Sequence, residues 1–185
     1  MIPPDAKKAF TGKIFEVWQW EQKMYDGSTE TFERLTRPNT AQVLAVFGDQ
    51  IVLLSQEQPY RPQPYTSLPG GRCELDEEPL LCAQRELLEE TGYASDDWIL
   101  FQENQPAAKI EWTVFTYIAR NCTSVAEPKL DAGEKITVRL LSFDELLALP
   151  DDATFQDPFL VAELLRARYD AQAKQKLRTL LFPNN

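Results

Sequence analysis

The chain contains no histidine. Serine–histidine–aspartate and cysteine–histidine catalysis are therefore excluded, as is a histidine-liganded zinc site. Acid–base or metal chemistry must come mainly from carboxylates, with lysine, tyrosine or backbone groups helping. Cations are scarce: 19 lysines and arginines face 29 aspartates and glutamates, a formal net charge of −10. A broad nucleic-acid footprint needs a basic face, so no nucleic-acid partner is expected. An anionic small substrate stays admissible, because a bound metal reverses the local sign. No apolar run reaches the roughly 18 residues of a membrane span, so no membrane partner is expected either. The start, MIPPDAKKAF, lacks the apolar core of a secretion signal. Cysteines number three, Cys73, Cys82 and Cys122, an odd count without paired CxxC spacing. They read as reduced, with Cys73 and Cys82 as small packing residues, and the protein reads as cytoplasmic. Glycine is sparse at seven residues, yet Gly70, Gly71 and Gly92 bracket a single segment.

What is present is a globular share of apolar residues, 43% of a 185-residue chain. That suffices for one compact domain with its own core. The first third reads as strands. KIFEVWQWEQKMY (13–25) and TETFERLTR (29–37) flank Asp26-Gly27, a pair suited to a type I′ hairpin turn. TAQVLAVF (40–47) and IVLLSQE (51–57) follow, separated by another tight turn and rich in β-branched and apolar residues. QPYRPQPYTSLPGG (58–71) is proline-rich and reads as a loop ending in a short strand. Pro79 opens a helix at its first turn, Leu80, Ala83 and Leu87 share one face of it, and Gly92 stops it. IEWTVFTYIAR (110–120) and EKITVRLLS (134–142) are further strands. Ser142 and Glu145 form a capping box for a short helix. Asp157-Pro158 caps a final amphipathic helix running to about Leu181. Strands, helix, strands and helices in this order predict an α/β sandwich with a mixed sheet.

The segment GRCELDEEPLLCAQRELLEETGY (71–93) carries the chemistry. On a helix at 100° per residue, Glu86, Glu89 and Glu90 fall within about a third of the circumference. Each like-charge pair one turn apart costs a few tenths of a kcal/mol. A solvated face would interleave lysines; here Arg85 alone can pair with Glu89 one turn on. A solvated glutamate-rich helix is the plain alternative. The excess carboxylate makes sense if divalent cations sit among these residues, since Mg²⁺ prefers oxygen ligands and phosphates. Gly70-Gly71 would let the backbone approach a ligand closely.

Gly71, then Glu77, then Arg85-Glu86-Leu87, then Glu89-Glu90, then Gly92-Tyr93 resembles the box of the Nudix hydrolase superfamily. All seven fixed positions match, and only Tyr93 departs, where an aliphatic residue is usual. A chance match per register is on the order of 10⁻⁹ to 10⁻⁸. The resemblance implies a Nudix-type α/β/α sandwich with a mixed sheet. It implies water attack at phosphorus in a nucleoside diphosphate linked to another group, with Mg²⁺ or Mn²⁺ as cofactor. Glu86 and Glu90 would hold metal, with Glu89 beside them as a further ligand or general base, and the Gly70 carbonyl would be another ligand. Gly71, Glu77, Arg85 and Gly92 would support the site, Glu77 and Arg85 as a pair orienting the loop against the helix. The positive end of the helix is expected to face the loop that meets the anion.

Outside the box, YDGS, FERLTRP (32–38) and QEQPYR (56–61) resemble the ADP-ribose and nucleotide-sugar pyrophosphatase branch. That resemblance implies a β-hairpin extension over residues 1–39, contributing to a homodimer, ahead of a hydrolase domain over 40–185. Glu134 matches a late acidic position, as metal ligand or general base; a solvated turn glutamate is the other reading, and Asp131 is a weaker candidate. Arg37 and Arg61 are candidates for phosphate contact, against ordinary surface arginines. Trp18, Trp20 and Tyr25 could stack on a base or serve as core or dimer contacts. Ser67 stands where many ADP-ribose enzymes carry glutamate, which keeps other nucleotide sugars open as substrates. Two further functions fit the same residues: a housecleaning nucleoside triphosphate pyrophosphohydrolase, and a Nudix-fold sensor that binds a nucleotide sugar without cleaving it.

Overall fold

The computed structural model describes residues 1–130, 132–133 and 135–183. The N-terminal region is a meander of β1 (Lys7–Thr11), β2 (Glu16–Lys23) and β3 (Thr29–Thr36). Strand β1, preceding the expected hairpin, pairs antiparallel with β2. The hairpin turn differs from the expected one. A type I′ turn needs two residues at positive φ, and between Lys23 and Thr29 only Gly27 has it, at 89°. A five-residue loop forms instead, in which the Asp26 carboxylate accepts from the Ser28 amide and hydroxyl at 2.9 and 2.7 Å. That local bond offers the chain an alternative to the tighter turn.

The central sheet begins with β4 (Thr40–Phe47) and β5 (Gln50–Glu57). They pair only next to their turn, Val46 with Ile51 and Phe47 with Gln50, and then splay apart. Into the gap come β6 (Tyr65–Ser67), which pairs with β5, and β7 (Gly70–Arg72), which pairs with β4. The splay is what places the two glycines at the mouth of the sheet. Beyond them run α1 (Pro79–Thr91), β8 (Tyr93–Ala94), β9 (Asp97–Asn104), β10 (Ile110–Glu111), β11 (Val114–Arg120), β12 (Thr123–Ser124) and β13 (Lys135–Leu141). The main path is β13-β5-β4-β11-β9. Strand β11 is parallel to β4 and antiparallel to β9, so the sheet is mixed as expected. Strand β9 was not anticipated, although Trp98, Ile99, Leu100 and Phe101 give it a β-prone run. Strand β10 leaves the central sheet and adds to the N-terminal one, parallel to β3. Arg34 fastens this junction by bonding Glu111 and the Ala108 carbonyl, each at 3.2 Å.

Alternation along the inner strands sorts two cores, because side chains on a strand point to opposite faces in turn. Ala41, Val43, Ala45, Val52, Tyr117 and Ala119 face α1, where Cys82, Ala83 and Leu87 pack on them. Leu44, Val46, Ile51, Leu53 and Ile118 face the other way, onto α2 (Phe143–Ala148), α3 (Pro158–Tyr169) and α4 (Ala171–Leu181). The result is an α/β/α sandwich. The capping box of Ser142 and Glu145 starts α2 as expected. The single final helix does not form. Asp170 takes an extended conformation and its carboxylate accepts from the Gln172 and Ala173 amides at 2.8 and 3.2 Å, so it starts a second helix. Aspartate competes for backbone donors in this way. The break lets Leu160 and Leu164 of α3 and Leu177 and Leu181 of α4 enter the same core.

Candidate active site

Helix α1 positions most of the acidic residues. Its leucine face is locked against β4, with Leu87 fully buried. That orientation turns Arg85, Glu86, Glu89 and Glu90 toward the splayed end of the sheet. The helix ends where Gly92 adopts φ 71° and its amide bonds the Leu88 carbonyl at 2.8 Å. A Cβ on Gly92 would also strike the Ala126 carbonyl, so no other residue fits without strain.

The three glutamates differ in their surroundings. Glu90 is 5% exposed, and its Oε2 accepts the Gly70 amide at 2.7 Å. Glu86 stands directly against Gly71, in space that a Cβ at Gly71 would fill. Glu89 is the most open of the three, with its side chain 45% exposed. Arg85 ties Glu77, Glu86 and Glu89 together. Its Nε and Nη2 grip Glu77 bidentately, each bond at 2.9 Å. Its Nη1 donates to Glu86 Oε1 at 2.8 Å and to Glu89 Oε2 at 3.1 Å. Glu77 also accepts the Glu74 amide at 2.7 Å. These bonds hold the Glu77 carboxyl down at about 2, with the Arg85 guanidinium as the largest cause, and they raise Arg85 further above its ordinary value. The i,i+4 pair with Glu89 is as the sequence predicts, and Arg85 is counter-ion as well as brace.

Glu77 lies behind Arg85, while Arg85, Glu86, Glu89 and Glu90 line one cleft of about 700 Å³, together with Ile14, Phe15, Arg37, Tyr60, Gly70, Gly71, Arg72, Glu74 and Lys129. Its helical wall is the C-terminal half of α1, Arg85 to Glu90. Residues 79–84 lie off the cleft wall, so the first turn of the helix does not itself line the cleft. The carboxylates instead sit toward the negative end of the macrodipole, with no basic residue in the last turn. That raises the electrostatic cost of the cluster and the benefit of a cation there. Several carboxylates beside a glycine backbone are hard oxygen donors, and such a set fits Mg²⁺ or Mn²⁺ rather than a soft metal.

Arg37 enters the cleft from the end of β3. Its guanidinium lies 4.4 Å from the Trp112 ring centre and 5.8 Å from that of Phe15. Burial, and then the neighbouring Arg72 charge, lower its pKa. Arg61 does not join this cleft. It stacks over Tyr65 at 4.0 Å and bonds Gln156 at 3.1 Å in an adjoining pocket of about 210 Å³. Tyr60 borders both spaces, and Ser67 lines the second, where its hydroxyl accepts from Gln56 at 2.7 Å. Trp18, Trp20 and Tyr25 lie away from the cleft: Trp20 packs on Phe32, Lys8 covers Trp18, and Tyr25 is fully exposed in the turn. Phe15, Tyr60, Trp112 and Lys129 were missed by sequence reasoning. Phe15 and Lys129 lie in connecting segments without periodicity. Tyr60 and Trp112 offered the one usable signal, an aromatic beside a basic or β-rich run. Glu134 and Asp131 lie outside the described residues.

An α/β/α sandwich presents a braced carboxylate helix to a polar cleft, an arrangement that offers hard oxygen donors to a divalent cation. The NUDIX domain model matches residues 36–162, and the chain belongs to that family; it is a Nudix hydrolase. A methanol dehydrogenase activator of Bacillus methanolicus is 26% identical over 146 residues, covering 77% of this chain and 78% of that protein. An ADP-ribose pyrophosphatase of Bacillus subtilis (strain 168) is 26% identical over 155 residues, covering 82% and 83%. A solved structure described as an ADP compounds hydrolase superposes with a TM-score of 0.76 over 95% of both chains at 18% identity, which is a likeness of fold.

Proposed function

We propose that the protein hydrolyses the pyrophosphate linkage of ADP-ribose or another nucleoside diphosphate sugar, giving a nucleoside monophosphate and a sugar phosphate. The observation that carries this reading is the convergence of Glu86, Glu89, Glu90 and the Gly70-Gly71 backbone on a cleft also lined by Arg37, Arg72 and Lys129. A diphosphate needs both kinds of group: cations for its oxygens, and carboxylates for the divalent ions that accompany it. Mg²⁺ or Mn²⁺, held by Glu86, Glu89, Glu90 and the Gly70 carbonyl, would supply charge neutralisation and a more acidic attacking water. Arg85 fixes Glu86 and Glu89 in place, and the Gly70 amide fixes Glu90. Arg37, pinned over Trp112, orients a phosphate. Glu89 or Glu134 takes the proton from the attacking water, and the pH profiles of E89Q and E134Q separate the two.

The neighbouring pocket suits the remainder of the substrate. Arg61, Tyr65, Gln156 and Ser67 offer a cation, a ring, an amide and a hydroxyl, with serine rather than carboxylate in the loop. Neutral hydrogen bonding of this kind accommodates more than one sugar or base. The relatives named for ADP-ribose pyrophosphatase and ADP compounds hydrolase support the adenosine diphosphate class. We read residues 1–39 as the element of a homodimer, supported by the exposed Phe10 and Phe15 there; light scattering after gel filtration tests it.

The test of the activity is direct. The purified chain with Mg²⁺ or Mn²⁺ is offered a panel of nucleotide sugars, and phosphate is measured after phosphatase coupling. Turnover of ADP-ribose or a relative, lost in E90Q, is expected. No turnover on any substrate, with E90Q behaving identically, would defeat the reading. Pyrophosphate released from a nucleoside triphosphate would favour the housecleaning alternative, and tight binding without products would favour a sensor.

A further inference from the structure

Two thiols stand beside the cleft, and the Cys82 thiol touches it, donating to the Gly71 carbonyl at 3.9 Å and accepting from Arg85 Nη2 at 3.7 Å. Cys73 follows β7 and Cys82 lies in the first turn of α1, at 3% and 0% exposure. Their Sγ atoms and a carboxylate oxygen of Glu77 all lie within 4.8 Å of one another. Both backbones are anchored, Cys73 through its amide to the Asn39 carbonyl at 2.9 Å and Cys82 to the Glu78 carbonyl at 3.0 Å. The third cysteine, Cys122, is apart from them, with its thiol bonded to the Ala119 carbonyl.

We propose that Cys73, Cys82 and Glu77 form a site for a thiophilic divalent cation of the zinc class, separate from the hard-oxygen set of Glu86, Glu89 and Glu90. Zinc–sulfur and zinc–oxygen bonds of about 2.3 and 2.1 Å put tetrahedral ligand atoms roughly 3.5–3.8 Å apart. The three side chains therefore need to close by up to about 1.3 Å, a movement that side-chain rotation supplies. Thiolate donors select zinc over magnesium, and the glutamate set selects the reverse. On binding, both thiols release their protons to solvent, the ion gains two sulfur bonds and one carboxylate bond, and a water completes the tetrahedron. Glu77 is also the bidentate partner of Arg85. Ligation draws one of its oxygens away from the guanidinium, so occupancy of this site loosens the brace of the cleft.

The test uses the full chain in saturating Mg²⁺, which fills the carboxylate cleft, and titrates Cd²⁺ alone as the probe. A thiolate-to-cadmium charge-transfer band should grow in the near ultraviolet and saturate at a single equivalent, in wild type and in C122S. Because loss of even an outer-shell partner weakens metal sites 10–100-fold, C73S and C82S should each bind at least about 100-fold more weakly. E77Q should keep the band with affinity about tenfold lower. Where C73S fails to fold, Cd²⁺ should still protect Cys73 and Cys82 of the wild type from alkylation and leave C82S unprotected. No band, an equal band in C82S, no protection from alkylation, or a Cys73–Cys82 disulfide in the purified chain would each overturn the proposal.

Discussion

Gly71→Ala adds one methyl group at the tightest point of the cleft. A Cβ there would stand 2.5 Å from Glu86 Cδ and 2.7 Å from its Oε2. Non-bonded carbons rest at about 3.5–4.0 Å, so the carboxylate must retreat by about 1 Å. It can do so cheaply, because it is the far end of a flexible side chain and Gly71 is not among the glycines at positive φ. The retreat breaks the 2.8 Å bond from Arg85 and displaces the carboxylate proposed to hold metal. A misplacement of about 1 Å in a reacting constellation costs on the order of 100-fold, or about 2.7 kcal/mol in the barrier. The assay is steady-state turnover of a nucleotide sugar at saturating divalent ion, alongside a thermal melt. The expected result is kcat down about 100-fold with Tm within a few degrees of wild type. Gly70→Ala is the control of opposite character. There a Cβ meets the Ala41 carbonyl and Gln42 Cα at 2.6 Å, both backbone, and φ is 151°, so stability falls first. Wild-type turnover in G71A, or loss of the fold in G71A with G70A unharmed, would refute the reasoning.

Three other outcomes are expected. The Glu77 carboxyl is held at about 2 against 4.5 unperturbed, so the stability it contributes is complete above about pH 4.5 and is lost as pH falls toward 2. That displacement corresponds to at most about 3.4 kcal/mol, trimmed to about 1–2 by solvent. Urea melts of E77Q at pH 7 and pH 3 should show a pH dependence smaller by a little over half of that, about 1 kcal/mol, because the loss is complete only below pH 2. Asp170→Ala removes the cap that starts α4, and should cost about 1 kcal/mol and roughly 2–4 °C in Tm with kcat unchanged. Arg37→Ala should raise KM for a nucleotide sugar about tenfold or more while kcat falls less, as loss of a binding contact common to ground and transition states requires.

The inner strands and α1 were legible because their patterns have a single reading. Alternating residues of β4 go to opposite cores, and Leu87 and Gly92 leave no choice of helix face or end. What stayed hidden depended on competition or on distance. At Asp170 an aspartate could continue a helix or cap the next one, and the gain from packing both helices on one core decided it. At Asp26 a local carboxylate bond outweighed the tighter turn. The splay between β4 and β5 has no mark in either strand, since it arises from the insertion of β6 and β7. The acidic cluster was visible from spacing alone, yet the residues that make it a cleft arrive from chain segments far away in sequence, Phe15, Tyr60 and Lys129, with Trp112 behind Arg37. Arg37 and Arg61 looked alike in sequence, and only the fold assigns them to different spaces.

The charge arrangement on α1 follows from what one guanidinium can reach. Three carboxylates toward the negative end of a helix repel one another and the helix itself. A lysine could neutralise one of them with a single ammonium. Arg85 instead uses one edge to hold Glu77, at the foot of the loop that carries Cys73, and its remaining nitrogen to hold Glu86 and Glu89. The planar fork makes the loop and the glutamates share one reference point. The Glu90 carboxylate takes the Gly70 amide, so the glycine strand is fixed to the same helix by a second, independent bond. The like-charge cost is thus accepted at positions held on two sides, which keeps the oxygen donors in register with the glycine backbone before any cation binds. Preorganisation of this kind is why the cluster cannot be dispersed along the helix without losing the cleft.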